Sequence, residues 1–207
     1  MAAKARLVLA SASDARLRTL RRAGLVPEVI VSGVDEDSEQ VDGVRELTAR
    51  LAQRKAEAVS ARIDHGSGVT VVIGCDSMLE LDGMGYGKPG TPAEAVQRWQ
   101  RMRGRFGLLH TGHHVILHRA WTINSRSAVA STVVHFAELT DAEIEAYVAS
   151  AEPLDVAGGF TIDGLGGPFV TGIEGDHHNV VGISLPLLRE MLAEVDVCWV
   201  SLWSGPY

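Results

Sequence analysis

The spacing of hydrophobic positions changes repeatedly along the chain, and each change marks an element. Arg6 to Ala10, RLVLA, is a short apolar run ending in the polar Ser-Ala-Ser, which predicts a strand followed by a loop. From Asp14 the apolar residues Leu17, Leu20 and Leu25 predict a helix. Glu28 to Val31 predicts a second strand, and Thr70 to Gly74 a buried third one. Between them Val44 to Arg62 predicts a long amphipathic helix with Leu47, Leu51 and Lys55 spaced by fours. Thr91 to Met102 predicts another helix with Pro92 suited to its first turn, and residues 107 to 138 turn strand-rich. Thr140 with Glu143 forms a capping box that opens a helix to about Ala149. Pro186 can start a last helix carrying Leu187, Leu188 and Leu192.

Strand and helix alternate in the first half, while the second half has the pattern of antiparallel pairing. Such an order favours an α/β sheet with its functional loops at strand ends, and the third strand is expected to deliver Cys75, Asp76 and Ser77 to such an end. The segment from Ala157 to Gly175 holds seven glycines in nineteen residues, which predicts loops where backbone approaches something closely. No repeat, low-complexity tract or linker divides the 207 residues, and with 46% of them hydrophobic they suffice for one core or two lobes sharing a cleft.

Composition then narrows the chemistry. No stretch approaches the roughly 20 apolar residues of a membrane span, and the apolar run near the amino terminus is too short for a secretory signal. Cys75 and Cys198 are the only cysteines, too few for a disulfide framework and without CxxC spacing, so a reducing cytoplasm is expected. The net charge of −7 argues against a nucleic-acid or anionic-lipid surface, because counterion release needs a basic face. One small polyanion can still bind where a few cations converge and a metal neutralises the rest.

Familiar templates fail. Gly83 to Pro89, GMGYGKP, resembles a Walker A loop, but Asp82 stands at its first glycine and Pro89 replaces the metal-binding hydroxyl. No GxGxxG opens a helix, no GxSxG elbow occurs, and Asp76 lacks a second Asp two residues on. His113, His114, His118, His177 and His178 match no zinc template. His114 and His118 share one face of a strand and are read as solvated or hydrogen-bonded surface histidines.

Three constellations remain. Ser11, Ser13 and Arg16, between a strand and a helix start, can present amides and a forked donor to an anion; the plain alternative is an Asp14 cap with Arg16 solvated. Glu36 in VDED and Asp76 after TVVIGC are carboxylates that repel in one cleft unless a proton or a hard divalent cation lies between them. For Glu36 the alternative is a solvated run with Asp35, Asp37 and Glu39. Lys55, which judged alone is read as facing solvent from its helix, and Lys88, in the turn Gly87-Lys88-Pro89, are point charges suited to phosphate oxygens.

These residues stand in an ordered series: LVLASAS with Arg16, VDE at Val34, RKA at Arg54, VIGCDS at Val72, GKP, HTG at His110, EIEAYV at Glu143, EPLDVAGGFTIDGLG from Glu152, and IEGDHHNVVGISLPLL from Ile173. Over residues 6 to 193 the chain thereby resembles the Maf family of nucleoside triphosphate pyrophosphatases, historically linked to inhibition of septum formation. The resemblance implies an inosine-triphosphate-pyrophosphatase-like α/β fold, a mixed twisted sheet flanked by helices with two lobes around a cleft, as a single domain over residues 1 to 207 and usually a homodimer. It implies a cytoplasmic hydrolase acting on nucleoside triphosphates with Mg²⁺ or Mn²⁺, with neither nucleic acid nor membrane as partner. By position, Arg16, Lys55, Asp76 and Lys88 match catalytic residues, Glu36 and Asp76 metal ligands, and Ser11, Ser13 and Arg16 the phosphate-facing loop. Asp163 is assigned to substrate binding, at a position where many members have glutamine. Asp14 and Ala15 replace a common Pro-Arg pair, which puts a negative charge into the loop. Cys75 stands where alanine is frequent and is read as a small buried residue. A non-catalytic, nucleotide-sensing regulator of division needs the same phosphate cradle, but gains little from two carboxylates beside a polyanion. The tail from Asp196 lies beyond the resemblance, and its Trp199, Trp203 and Tyr207 are expected to complete a strand or cover the core.

Overall fold

The computed structural model describes residues 5–36, 41–66 and 68–204. Its seven-stranded mixed sheet has the order β2-β1-β3-β5-β6-β7, with β4 added to β3 off that path. The strands are β1 (Arg6–Leu9), β2 (Glu28–Val29), β3 (Val69–Leu81), β4 (Met84–Tyr86), β5 (Phe106–Arg119), β6 (Thr122–Phe136) and β7 (Val170–Glu174). β1 runs parallel to β2 and β3, and the remaining pairs are antiparallel. The helices are α1 (Asp14–Arg22), α2 (Val44–Ser60), α3 (Pro92–Met102), α4 (Asp141–Ala149), α5 (His177–Val181) and α6 (Leu185–Glu194).

Of three buried clusters, one under α2 gathers Val8, Ala10, Ala56, Val59, Val72 and Ile116, and the two larger ones lie at opposite ends of the long strands. One gathers Leu9, Leu20, Ile73, Cys75, Val115, Leu188 and Leu192, with α1 and α6 against the sheet. The other gathers Leu79, Trp99, Leu109, Phe136, Ile144 and Tyr147 under α3 and α4. The strands β3, β5 and β6 run through both, so the sheet is the shared spine of two lobes.

Helix α2 crosses one face at very short range. Its buried row of Val44, Thr48, Leu51, Ala52, Lys55, Ala56 and Val59 follows the helical period. A Cβ on Gly74 would lie 2.2 Å from the Ala52 carbonyl oxygen, and one on Gly112 would lie 2.1 Å from that of Thr48. Two glycines, one on each of two paired strands, are therefore the seat of the helix, and the seat brings Lys55 down onto β3.

The caps form as the residues suggest. Thr140 and Glu143 make both bonds of a capping box, Thr91 caps α3 with Pro92 in its first turn, and Ser184 caps α6 just before Pro186. Two expectations change. The third strand does not stop at Gly74 but runs to Leu81, so Cys75, Asp76 and Ser77 lie in mid-strand rather than at a strand end. Ser13, not Asp14, caps α1, its hydroxyl accepting the Arg16 N–H, and Asp14 becomes the first helical residue. At the tail, Trp199 lies in a 3-10 turn over the first core instead of a strand, Trp203 is partly exposed, and Tyr207 lies outside the described residues, as do Asp37 and Glu39.

Candidate active site

β3 is flanked on one side by two short strands that leave a gap. β1 pairs Arg6–Leu9 with residues 70–73, and β4 pairs Met84–Tyr86 with residues 79–81. Among the described residues no strand covers the edge of β3 from 74 to 78, and a notch results. One flanking strand is parallel to β3 and the other antiparallel, so both point their carboxyl ends into the notch. The loop after β1 carries Ser11 and Ser13, and the turn after β4 carries Lys88. A third border is the Gly158 turn, whose N–H donates to the Gly87 carbonyl at 3.0 Å. A Cβ there would lie 2.8 Å from Leu79 Cβ, which explains the glycine. Although Asp76 is in mid-strand, it thus sits where the parallel part of the sheet ends.

Its carboxylate is buried, and Oδ1 accepts from Lys55 Nζ at 2.5 Å. The same ammonium lies 2.7 Å from Glu36 Oε1, so Lys55 bridges the two acidic residues. Glu36 is brought there by α2 and the residues just after it, because Arg54 donates to the Asp35 carbonyl and Arg62 to those of Val31 and Ser32. Burial drives the Asp76 pKa upward, and the Lys55 charge and hydrogen bond, with the Arg16 charge, oppose that rise. Asp76 Oδ2 is buried and has no partner. An unpaired buried carboxylate oxygen is costly, and a cation, a proton or an ordered water removes the cost.

That orphaned oxygen fits a hard divalent cation. Among the described residues no three His, Cys, Asp or Glu side chains are placed to hold a metal by themselves. One or two carboxylates completed by water and phosphate oxygens is, however, the usual set for magnesium.

Arg16 departs from its expected part. Its Nε donates to the Gly182 carbonyl at 2.7 Å, Nη1 to Ser11 Oγ at 3.0 Å and the Cys75 carbonyl at 3.1 Å, and Nη2 to Ser77 Oγ at 2.8 Å. Four of its five donors are spent inside the protein, which leaves one Nη2 hydrogen rather than a free fork. The Cys75 carbonyl is the next acceptor in the ladder after Ile73, whose carbonyl takes the Ala10 N–H. Arg16 therefore stands in for the missing continuation of β1 and fixes the serine loop against β3. The Ser11 hydroxyl also accepts the Ser13 N–H at 3.2 Å.

Several residues that carry the site were given no such role by sequence reasoning. Ser77, expected only to accompany Asp76 at a strand end, pairs its hydroxyl with that of the buried Thr111 at 2.9 Å. His113 is buried and neutral: Nδ1 donates to the Thr111 carbonyl and Nε2 accepts the Ser184 N–H, while burial pushes its pKa down to about 4. Glu152 clamps the glycine-rich loop by accepting from the N–H groups of Leu165 and Gly166 and from the Thr161 and Tyr147 hydroxyls. That loop carries Asp163, which is exposed, as is Lys88, and both stand apart from the bonded network around Asp76. Burial raises the Cys75 thiol to about 11, as expected of an inert, small buried residue. His114 and His118 are bonded to Ser127 and Ser60, but His114 is buried rather than at the surface, because it lies in β5 beneath α2.

Comparison with known proteins gives a family match over almost the whole chain. The model described as "Maf-like protein" matches residues 6–195. A protein of Salinispora tropica named nucleoside triphosphate pyrophosphatase is 56% identical over 201 residues, covering 96% of this chain and 88% of the relative. One of the same name from Streptomyces coelicolor is 55% identical, with coverage of 96% and 95%. Among solved structures, the Staphylococcus aureus Ham1 protein aligns over 92% of this chain and 99% of its own at 13% identity and a TM-score of 0.45, a likeness too loose for inference.

Proposed function

From the premise that the chain belongs to the Maf family, we propose that it hydrolyses nucleoside triphosphates to the monophosphate and pyrophosphate in the notch beside β3. The carrying observation is the buried Asp76 carboxylate, one oxygen on Lys55 and the other without a partner, between two loops of phosphate-binding character. The triphosphate lies across the notch with its oxygens facing the serine-loop amides, the remaining Arg16 hydrogen, Lys55 and Lys88. Glu36 and Asp76 would hold Mg²⁺ or Mn²⁺, which when bound supplies charge neutralisation and makes a nearby water more acidic. Asp76 orients that water and draws its proton. Water oxygen joins the α-phosphorus, the bond from that phosphorus to the bridging oxygen breaks, and pyrophosphate carries the electron pair away. Lys55 favours the ionised form of Asp76 against the burial that favours the protonated one.

The names of the Salinispora and Streptomyces relatives support the overall reaction, and the raised but lysine-opposed Asp76 pKa supports its role as base or ligand. Among the described residues no helix is long and apolar enough to cross a membrane. A cytoplasmic location is part of the proposal and rests on the family resemblance and the two lone cysteines. A homodimer is part of the same proposal. The outer edge of β6 from 122 to 131, unpaired among the described residues and rich in small side chains, is the surface we assign to a second copy. The function is tested with Asp76→Asn: we expect turnover to fall at least about 1,000-fold with the fold retained. Activity within threefold of the unmodified chain would remove Asp76 from the mechanism.

A further inference from the structure

α3 meets the notch through a buried arginine that the reaction scheme above does not use. Arg98 is 5% exposed, and its Nη1 donates to the Gly87 carbonyl at 2.5 Å. Its Nη2 donates to Glu94 Oε1 at 2.8 Å, and the guanidinium lies over the Tyr86 ring at 5.0 Å from the centroid. Two of these contacts, to Gly87 and Tyr86, fall on the residues just before Lys88. The Gly87 carbonyl also takes the Gly158 N–H, the next residue in α3, Trp99, donates to the Gly159 carbonyl at 2.8 Å, and a Cβ on Gly159 would lie 2.9 Å from Pro89 Cγ. Neighbouring side chains of α3 therefore hold both borders of the notch on that side.

Holding a guanidinium there is costly. Burial pulls the Arg98 pKa down, Glu94 only partly restores it, and its Nε is buried without a partner. An apolar side chain would fill the same space without that desolvation, and buried ion pairs rarely surpass such replacements in stability. The Gly87 carbonyl would keep the Gly158 N–H. What an apolar residue cannot supply is a rigid fork that fixes the turn from α3 and Tyr86 at once.

We infer that Arg98 is a positioning residue: it sets the Tyr86–Pro89 turn so that the exposed Lys88 ammonium is held at the notch for the triphosphate. This rests on the proposed function, through the role given there to Lys88.

The test is a double-mutant cycle with Arg98→Met and Lys88→Ala, reading kcat, KM and the Kd of a non-hydrolysable triphosphate analogue, with thermal melting as a check of fold. We expect R98M to remain folded and to lower kcat/KM about 10- to 100-fold, the scale of a catalytic group displaced by about an ångström. R98K should recover part of the loss, since one ammonium can reach the Gly87 carbonyl but not Glu94 as well. In the K88A background R98M should cost less than about threefold more, because nothing is left to position. Losses that multiply in the double variant, or an R98M enzyme with unchanged kcat/KM, overturn the assignment while leaving the proposed function in place. A K88A enzyme with unaltered kinetics and Kd removes Lys88 from the site and the Arg98 assignment with it. Should R98M fail to fold, R98K in both Lys88 backgrounds carries the same comparison, and if no triphosphate is turned over the cycle is read on Kd.

Discussion

Replacing Lys55 by methionine isolates the electrostatics of the site. The methionine keeps much of the apolar stem, so packing changes little, and the charge between Glu36 and Asp76 disappears. The two arms of the bridge differ in worth. The Glu36 side chain is 53% exposed, and that arm contributes at most about 1 kcal/mol. The Asp76 side chain is 7% exposed, and removing one member of a buried pair costs about 3–5 kcal/mol. Because burial raises the Asp76 pKa above its ordinary 3.8, the folded protein holds that proton more tightly than the unfolded chain. Its contribution to stability is thus full below about 4 and is lost as pH rises through the folded value. Losing Lys55 removes the main opposition to that rise, so K55M should be destabilised by about 3–5 kcal/mol at pH 8 and clearly less at pH 5. Urea unfolding at both pH values, taken as variant minus unmodified chain, cancels the titration of other groups. Adding Asp76→Asn, which needs no counter-charge, should restore all but about 1 kcal/mol at pH 8. Equal losses at the two pH values, or no recovery in the double variant, would show that Lys55 and Asp76 are not an interdependent buried pair.

Other consequences follow from the same geometry. Gly112→Ala would drive a methyl group into the Thr48 carbonyl; we expect roughly 3 kcal/mol of destabilisation by urea titration, and a loss under 1 kcal/mol would mean α2 is not seated on the sheet as described. His113 has the opposite linkage to Asp76: its folded value of about 4 lies below the ordinary 6.5, so its contribution is full above 6.5 and lost as pH falls toward 4. That loss amounts to about 3 kcal/mol at most, and His113→Gln should flatten this part of the stability profile. Glu152→Ala releases four donors around the glycine-rich loop, which should speed amide hydrogen exchange at Leu165 and Gly166 at least tenfold while α4 stays protected.

Where the sequence was readable, a local chemical signal coincided with the final structure. The Thr140 box, Pro92 and Pro186 marked helix starts because caps and missing N–H groups act within one turn. Lys55 followed Leu51 by four, yet a lysine judged alone reads as facing solvent; it is buried on α2 instead, because its partner Asp76 makes a cation tolerable there. The length of β3 was hidden because Gly74 and the polar Asp76 and Ser77 look like a strand ending. The glycine serves α2, and the polar pair is paired by residues distant in sequence. The same distance hid the occupied fork of Arg16, whose acceptors include Cys75, Ser77 and Gly182. Arg98 gave no signal at all, since Glu94 four residues earlier suggests an ordinary surface pair.

The most direct measurement of the central claim is turnover of nucleoside triphosphates in ¹⁸O-water with Mg²⁺ or Mn²⁺, and with EDTA as the metal-free control, followed by mass spectrometry of the products. Attack on the α-phosphorus puts one ¹⁸O into the nucleoside monophosphate and leaves pyrophosphate unlabelled, and we expect that outcome only where the metal is present. Label in pyrophosphate, release of orthophosphate, or triphosphates that bind yet stay intact would contradict the assignment of the β3 notch as a pyrophosphatase site.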